Sequence, residues 1–101
     1  MADIRTADAD DLLTVLAKLD EPDDVFALLE DLFTVREIRE TSQRLLVARL
    51  LAAGKSYAAI EAETGASATT IARVSKCLSY GSGGYKRALE ILGEEPPVKA
   101  S

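Results

Sequence analysis

Histidine and tryptophan are absent from this 101-residue chain, and cysteine occurs once, as Cys77. The lack of histidine removes the commonest general base, and with a single thiol it also removes the ligands of a structural zinc site. One cysteine cannot form an internal disulfide, which suits a reducing cytoplasm. No apolar run approaches the roughly 18 residues that span a bilayer. The start, MADIRTADADD, is acidic and polar and does not read as an export signal. No stretch alternates apolar and polar residues as a strand does, so every regular element is expected to be helical. With 48% hydrophobic and 29% charged residues, the chain has the composition of a folded domain and is too short for more than one.

Basic residues are also scarce, but unevenly so. The formal net charge is -5. Residues 1–33 hold two basic and ten acidic side chains, whereas residues 34–93 hold nine basic and five acidic ones. An acidic front and a basic remainder is an asymmetry that can accompany nucleic-acid binding. Acidic groups more than a Debye length, about 8–10 Å, from a phosphate repel it little. The overall charge therefore does not exclude DNA as a partner.

Apolar spacing then places six helices. Leu12, Val15, Leu16 and Leu19 mark a stripe over about 8–20. Pro22, Asp23 and Asp24 suit the first turn of a second helix, about 22–33. Thr34 and Glu37 have the spacing of a capping box and open a third helix that runs to about residue 53, where Gly54 supplies a left-handed stop. Leu45, Leu46, Val47, Leu50 and Leu51 point almost all the way round that helix. A helix apolar on every side must be covered on every side. A dimer core does that better than a lone chain, the centre of a monomeric bundle being the alternative. Ser56 and Ser67 are N-caps for helices over about 57–63 and 68–79, with Gly65 in the turn between them. GSGG at 81–84 precedes a last short helix, about 84–92, and residues 94–101 form a polar tail. The reading is a single domain over 1–93: N-terminal dimerisation helices (about 8–53), a helix–turn–helix (about 56–79) and the final helix.

Two short helices joined by a glycine turn form the pattern of a helix–turn–helix. Ala59 and Ile60 of the first helix, and Ile71, Val74 and Leu78 of the second, are expected to face inward. The opposite face of the second helix carries Thr69, Ala72, Arg73 and Lys76, where hydroxyl and methyl groups suit base edges and cations suit guanine or phosphate. Ser67 and Ala68 at its N-terminus join that set, and Lys55 adds a phosphate contact. Glu61 stands where such motifs usually place a small residue. An ordinary helical hairpin with Arg73 and Lys76 in solvent is the competing reading of the same spacing.

From Asp31 to about Leu92 the chain resembles the Trp-repressor-like superfamily, most closely its YerC/YecD branch. The resemblance is carried by DLFT at 31–34, SQRLLVARLLAAGKSY at 42–57, TGASATTIARVSKCL at 64–78 and YGSGGYKRALE at 80–90. It implies an all-α fold of six helices whose N-terminal helices interlock in a homodimer. It also implies sequence-specific, double-stranded DNA binding by a transcriptional repressor at a near-palindromic operator.

The same resemblance maps an amino-acid pocket onto this chain. Arg44 and Arg73 match the two arginines that hold the ligand, and Thr34 and Thr70 match threonines lining it. Val74 stands where the family has a glycine beside the indole, and Cys77 where it has a serine that meets the ammonium group. A valine there fills the indole's space, so a small corepressor is compatible with the site but tryptophan fits poorly, and no resident cofactor or metal is expected. Cys77 itself reads as a half-buried thiol. No nucleophile with a base and no phosphate-binding loop occurs: GSGG has no preceding strand and no following lysine–serine pair. The chain therefore reads as a non-enzymatic cytoplasmic regulator. Its alternative is a helical dimer that docks a basic protein through the acidic residues 1–33.

Overall fold

The protein is described here by a computed structural model covering residues 4–94. It comprises α1 (Ala7–Lys18), α2 (Pro22–Leu32), α3 (Val35–Ala52), α4 (Tyr57–Thr64), α5 (Ala68–Tyr80) and α6 (Gly84–Glu94), with no strand among the described residues. The all-α expectation holds, with helix ends shifted by one or two residues. α1 stops at Lys18 because Leu19 turns extended. α6 runs on to Glu94, and the rest of the expected tail, residues 95–101, lies outside the described residues. The chain divides into two compact units, Met1–Ile38 and Arg39–Ser101, with the division inside α3.

In the first unit, local chemistry sets the helix starts. The Thr6 hydroxyl accepts from the Ala9 amide at 3.2 Å and caps α1, with Asp8 and Asp10 in its positive first turn. Arg5 pairs with Asp10 at 2.7 Å on the exposed surface. Pro22 opens α2 without a side-chain cap, and Asp23 and Asp24 follow in the first turn. Neither α1 nor α2 contains a buried residue. Phe26 is 51% exposed and Val35 65%, and Leu13, Val15, Leu32 and Phe33 are also exposed. Helices with apolar stripes of this width are stabilised mainly by covering them.

α3 begins with the capping box read from the sequence. The Glu37 amide donates to the Thr34 hydroxyl at 3.1 Å, and the Thr34 amide donates to the Glu37 carboxylate at 2.9 Å. The Thr34 backbone amide first, and its hydroxyl second, hold the Glu37 pKa below its ordinary value. The carboxylate therefore favours the folded helix start above the ordinary glutamate range. That preference is lost as pH falls through the depressed value.

The second unit has the core. Val47 and Ala48 of α3, Ile60 of α4, Ala66 of the turn, and Ile71 and Val74 of α5 are buried together, with Leu50, Leu51 and Tyr85 packed against them. Ala59 was expected beside Ile60 but is exposed. With Ile60 pointing inward, a residue one position earlier is rotated about 100° away. Ala66, from the turn, takes the inner place. Around α3, Val47 and Ala48 are buried, Leu45, Leu50 and Leu51 are half-buried, and Leu46 is exposed. One chain thus covers only part of this helix.

Two glycine-centred junctions orient α4 and α5. At the end of α3, Gly54 has φ 83, its amide bonds to Leu51 and the Lys55 amide bonds back to Leu50 at 3.1 Å. This is a Schellman closure, and it fixes where Lys55 leaves the helix. Between α4 and α5, Gly65 is left-handed (φ 75, ψ 3) and donates to Glu61 at 2.9 Å. The Thr64 hydroxyl donates to the Ile60 carbonyl at 2.7 Å and accepts from the Ala66 amide at 3.1 Å. The Gln43 side-chain amide reaches from α3 to the Thr64 carbonyl at 3.1 Å. Ser67 then caps α5, accepting from the Thr70 amide.

Two outcomes test these local devices. In Thr34→Ala the Glu37 carboxyl should titrate closer to its ordinary value in a side-chain carbon NMR titration, part-way only because the backbone donor survives; an unchanged titration contradicts the capping box. Gly65→Ala should lower unfolding stability by about 1–2 kcal/mol in urea denaturation, the cost of a left-handed non-glycine residue. Gly84→Ala, with open space around the added methyl group, should stay within about 0.5 kcal/mol. Equal effects at the two glycines would contradict this account of the turn.

Candidate nucleic-acid interface

α5 divides into an inner and an outer face. Ile71 is fully buried and Val74 is 1% exposed, and Ser75 and Leu78 flank them half-buried. Thr69, Ala72, Arg73 and Lys76 are exposed and fall within an arc of about 100° opposite that core. Ala68 is exposed at the edge of this arc, and Ser67 is exposed at the cap. Lys55 is exposed at the closure of α3. Lys55, Arg73 and Lys76 make no ion pair with a described residue. The Ser67 hydroxyl is engaged with the Thr70 amide and donates to the Thr70 hydroxyl at 3.1 Å, so its local role is the cap. Glu61 is exposed and stays out of the α4–α5 core.

Tyr80 escaped the sequence reading. It is 85% exposed at the end of α5. The same rotation of about 100° per residue places it on the meridian of Thr69 and Lys76. The stripe of outward side chains therefore runs the length of the helix, with a phenol at its far end. Helical arithmetic finds it once the helix, expected to end at about 79, is extended to Tyr80.

Of the residues assigned to an effector pocket, Arg44 and Cys77 share one cleft. Arg44, half-buried, and Cys77, exposed and not half-buried as the sequence suggests, line this open cleft of about 490 Å³ with Thr41, Leu45, Gly81, Ser82, Gly84, Tyr85 and Ala88. Arg44 donates to the Thr41 hydroxyl at 3.4 Å. Thr70, Arg73 and Val74 do not line that cleft: Thr70 is tied to Ser67, Arg73 is on the outer face and Val74 is in the core. Thr34 belongs to the first unit, where it caps α3. GSGG at 81–84, read as a turn, supplies part of the cleft wall. A side chain at Gly81 would strike the Cys77 carbonyl oxygen, so the chain can pass this close to α5 only as glycine. No described helix is long and apolar enough to cross a membrane, and the described residues contain no cluster of metal ligands.

Comparison with known proteins agrees with this architecture. The family described as Trp repressor protein matches residues 7–92. YerC of Bacillus subtilis strain 168, itself uncharacterised, is 41% identical over 98 residues, covering 97% of this chain and 94% of that protein. A crystal structure of a candidate Trp repressor from Staphylococcus aureus superimposes with a TM-score of 0.84 at 37% identity, over 93% of this chain and 94% of its own. A TrpR-like protein from Eubacterium eligens ATCC 27750 gives 0.85 at 36% identity, over 93% and 97%. Both the match of nearly the whole described chain and the shared fold place this chain in the Trp repressor family, whose members are in general DNA-binding helix–turn–helix regulators.

Proposed function

We propose that this protein is a sequence-specific DNA-binding transcriptional regulator of the cytoplasm, acting as a repressor. The carrying observation is the outer face of α5, where Thr69, Ala72, Arg73 and Lys76 are exposed together and the two cations have no protein partner among the described residues. A helix held by Ile71 and Val74 and presenting that face is suited to a major groove, with Lys55 on a flanking phosphate. The active form is a homodimer. The exposed apolar residues of α1 and α2, and the partly covered end of α3, supply the surface a second copy buries. Two recognition helices on a two-fold axis would meet successive major grooves about 34 Å apart, which calls for a near-palindromic operator. A basic protein docking on the acidic residues 1–33 is the competing use of the first unit. It accounts for the charge there but not for Phe26, Leu32 and Phe33 in solvent.

Val74 also bears on the effector. Its side chain is packed into the core, where the family's tryptophan pocket needs open space beside the recognition helix. We propose accordingly that tryptophan is not the corepressor, and that any small effector is one the Arg44–Cys77 cleft can admit.

Two measurements test this. By fluorescence anisotropy on duplex DNA from the gene's own upstream region, Arg73→Ala with Lys76→Ala should weaken binding by roughly 10-fold or more and flatten its salt dependence by up to about two charges per protomer, about four per dimer. Unchanged affinity would remove α5 from the interface. Millimolar free tryptophan should leave the wild-type affinity within about twofold; a tenfold tightening would overturn the reading of Val74.

A further inference from the structure

The chemistry of the exposed α5 face narrows what it can read. We infer that Thr69 and Ala72 recognise the C5-methyl group of thymine in each half-site, with Arg73 and Lys76 supplying guanine or phosphate contacts. This rests on the DNA-binding reading above and adds the base chemistry to it.

The groups that α5 offers favour thymine. α5 is ATTIARVSKCLSY and contains no asparagine, glutamine, aspartate or glutamate. It therefore has no amide to pair with both adenine edge atoms and no carboxylate to accept from the cytosine amine. Ahead of Arg73, its exposed residues Ala68, Thr69 and Ala72 offer only methyl groups and one hydroxyl. The Thr70 hydroxyl, the other nearby polar group, is tied to Ser67. Of the four bases, only thymine presents an apolar group in the major groove.

Position supports the same choice. Thr69 and Ala72 are three residues apart on one face, a rise of about 4.5 Å along the helix, comparable to the step of about 3.4 Å between base pairs. The N-terminal half of a recognition helix is the part that meets base edges, and here that half is the methyl-bearing one. The cations follow at Arg73 and Lys76, one turn further along. Burying one methyl group is worth about a fourfold change in affinity.

The test uses the full-length protein and a duplex enriched from a random pool. Each conserved thymine of that duplex is replaced in turn by deoxyuridine, which keeps base pairing and removes only the methyl group. Wild-type protein should bind about fourfold more weakly for each thymine that Thr69 or Ala72 touches. In the Thr69→Ser, Ala72→Gly double variant the thymine-to-uracil affinity ratio should fall to about one. Because both duplexes are measured on the same protein, lost stability cancels from the ratio. A wild-type ratio of one at every thymine overturns the inference, as does a ratio that survives the double variant. Enrichment of sequences with no fixed thymine overturns it while leaving DNA binding intact. No enrichment at all overturns both.

Discussion

The packing of Val47 and Ala48 of α3 against Ile60, Ala66, Ile71 and Val74 is what the candidate interface depends on. α4 has eight residues and α5 thirteen, and isolated helices of such lengths are marginal in water. Their orientation comes from this small shared core and from the turn that feeds it. Gln43 ties α3 to the Thr64 carbonyl, the Thr64 hydroxyl bridges Ile60 and Ala66, and Gly65 allows the reversal. Because Ile71 and Val74 point into the core, Thr69, Ala72, Arg73 and Lys76 must point out. Packing and the candidate binding surface are two sides of one helical period.

Charge follows the same division of labour. The first unit is dense in aspartate and glutamate, and the second carries the exposed Lys55, Arg73 and Lys76. A net charge of -5 is thus an average over two parts with opposite tendencies. Screening over about 8–10 Å at physiological salt lets a basic face act locally within an acidic protein. The first unit's exposed apolar residues, and the absence of any buried side chain in α1 or α2, accord with helices completed by a second copy.

Much of the fold was legible because its signals are short-range. Thr34 with Glu37, Ser56, Ser67, Gly54 and Gly65 each announce a helix end through bonds spanning at most five residues. The inward Ile60, Ile71 and Val74 followed from spacing. What escaped depends on contacts far apart in sequence. Ala66 is a small residue in a turn, and only the approach of α3 makes it core. The Gln43–Thr64 bond spans 21 residues. The Arg44–Cys77 cleft joins residues 41–45 to 77–88, so spacing cannot reveal that Tyr85 and Ala88 line it. Val74 shows both sides: its periodicity marks it as core, but only its burial shows how little room it leaves.

Selection of bound duplexes from a random pool tests the central claim most directly. The account predicts enrichment of an inverted repeat whose half-site centres lie about 10 base pairs apart, one helical turn, and loss of that enrichment when Arg73 and Lys76 are both alanine. A pool that remains random with the wild-type protein, or an enriched repeat that the double substitution leaves untouched, would contradict it.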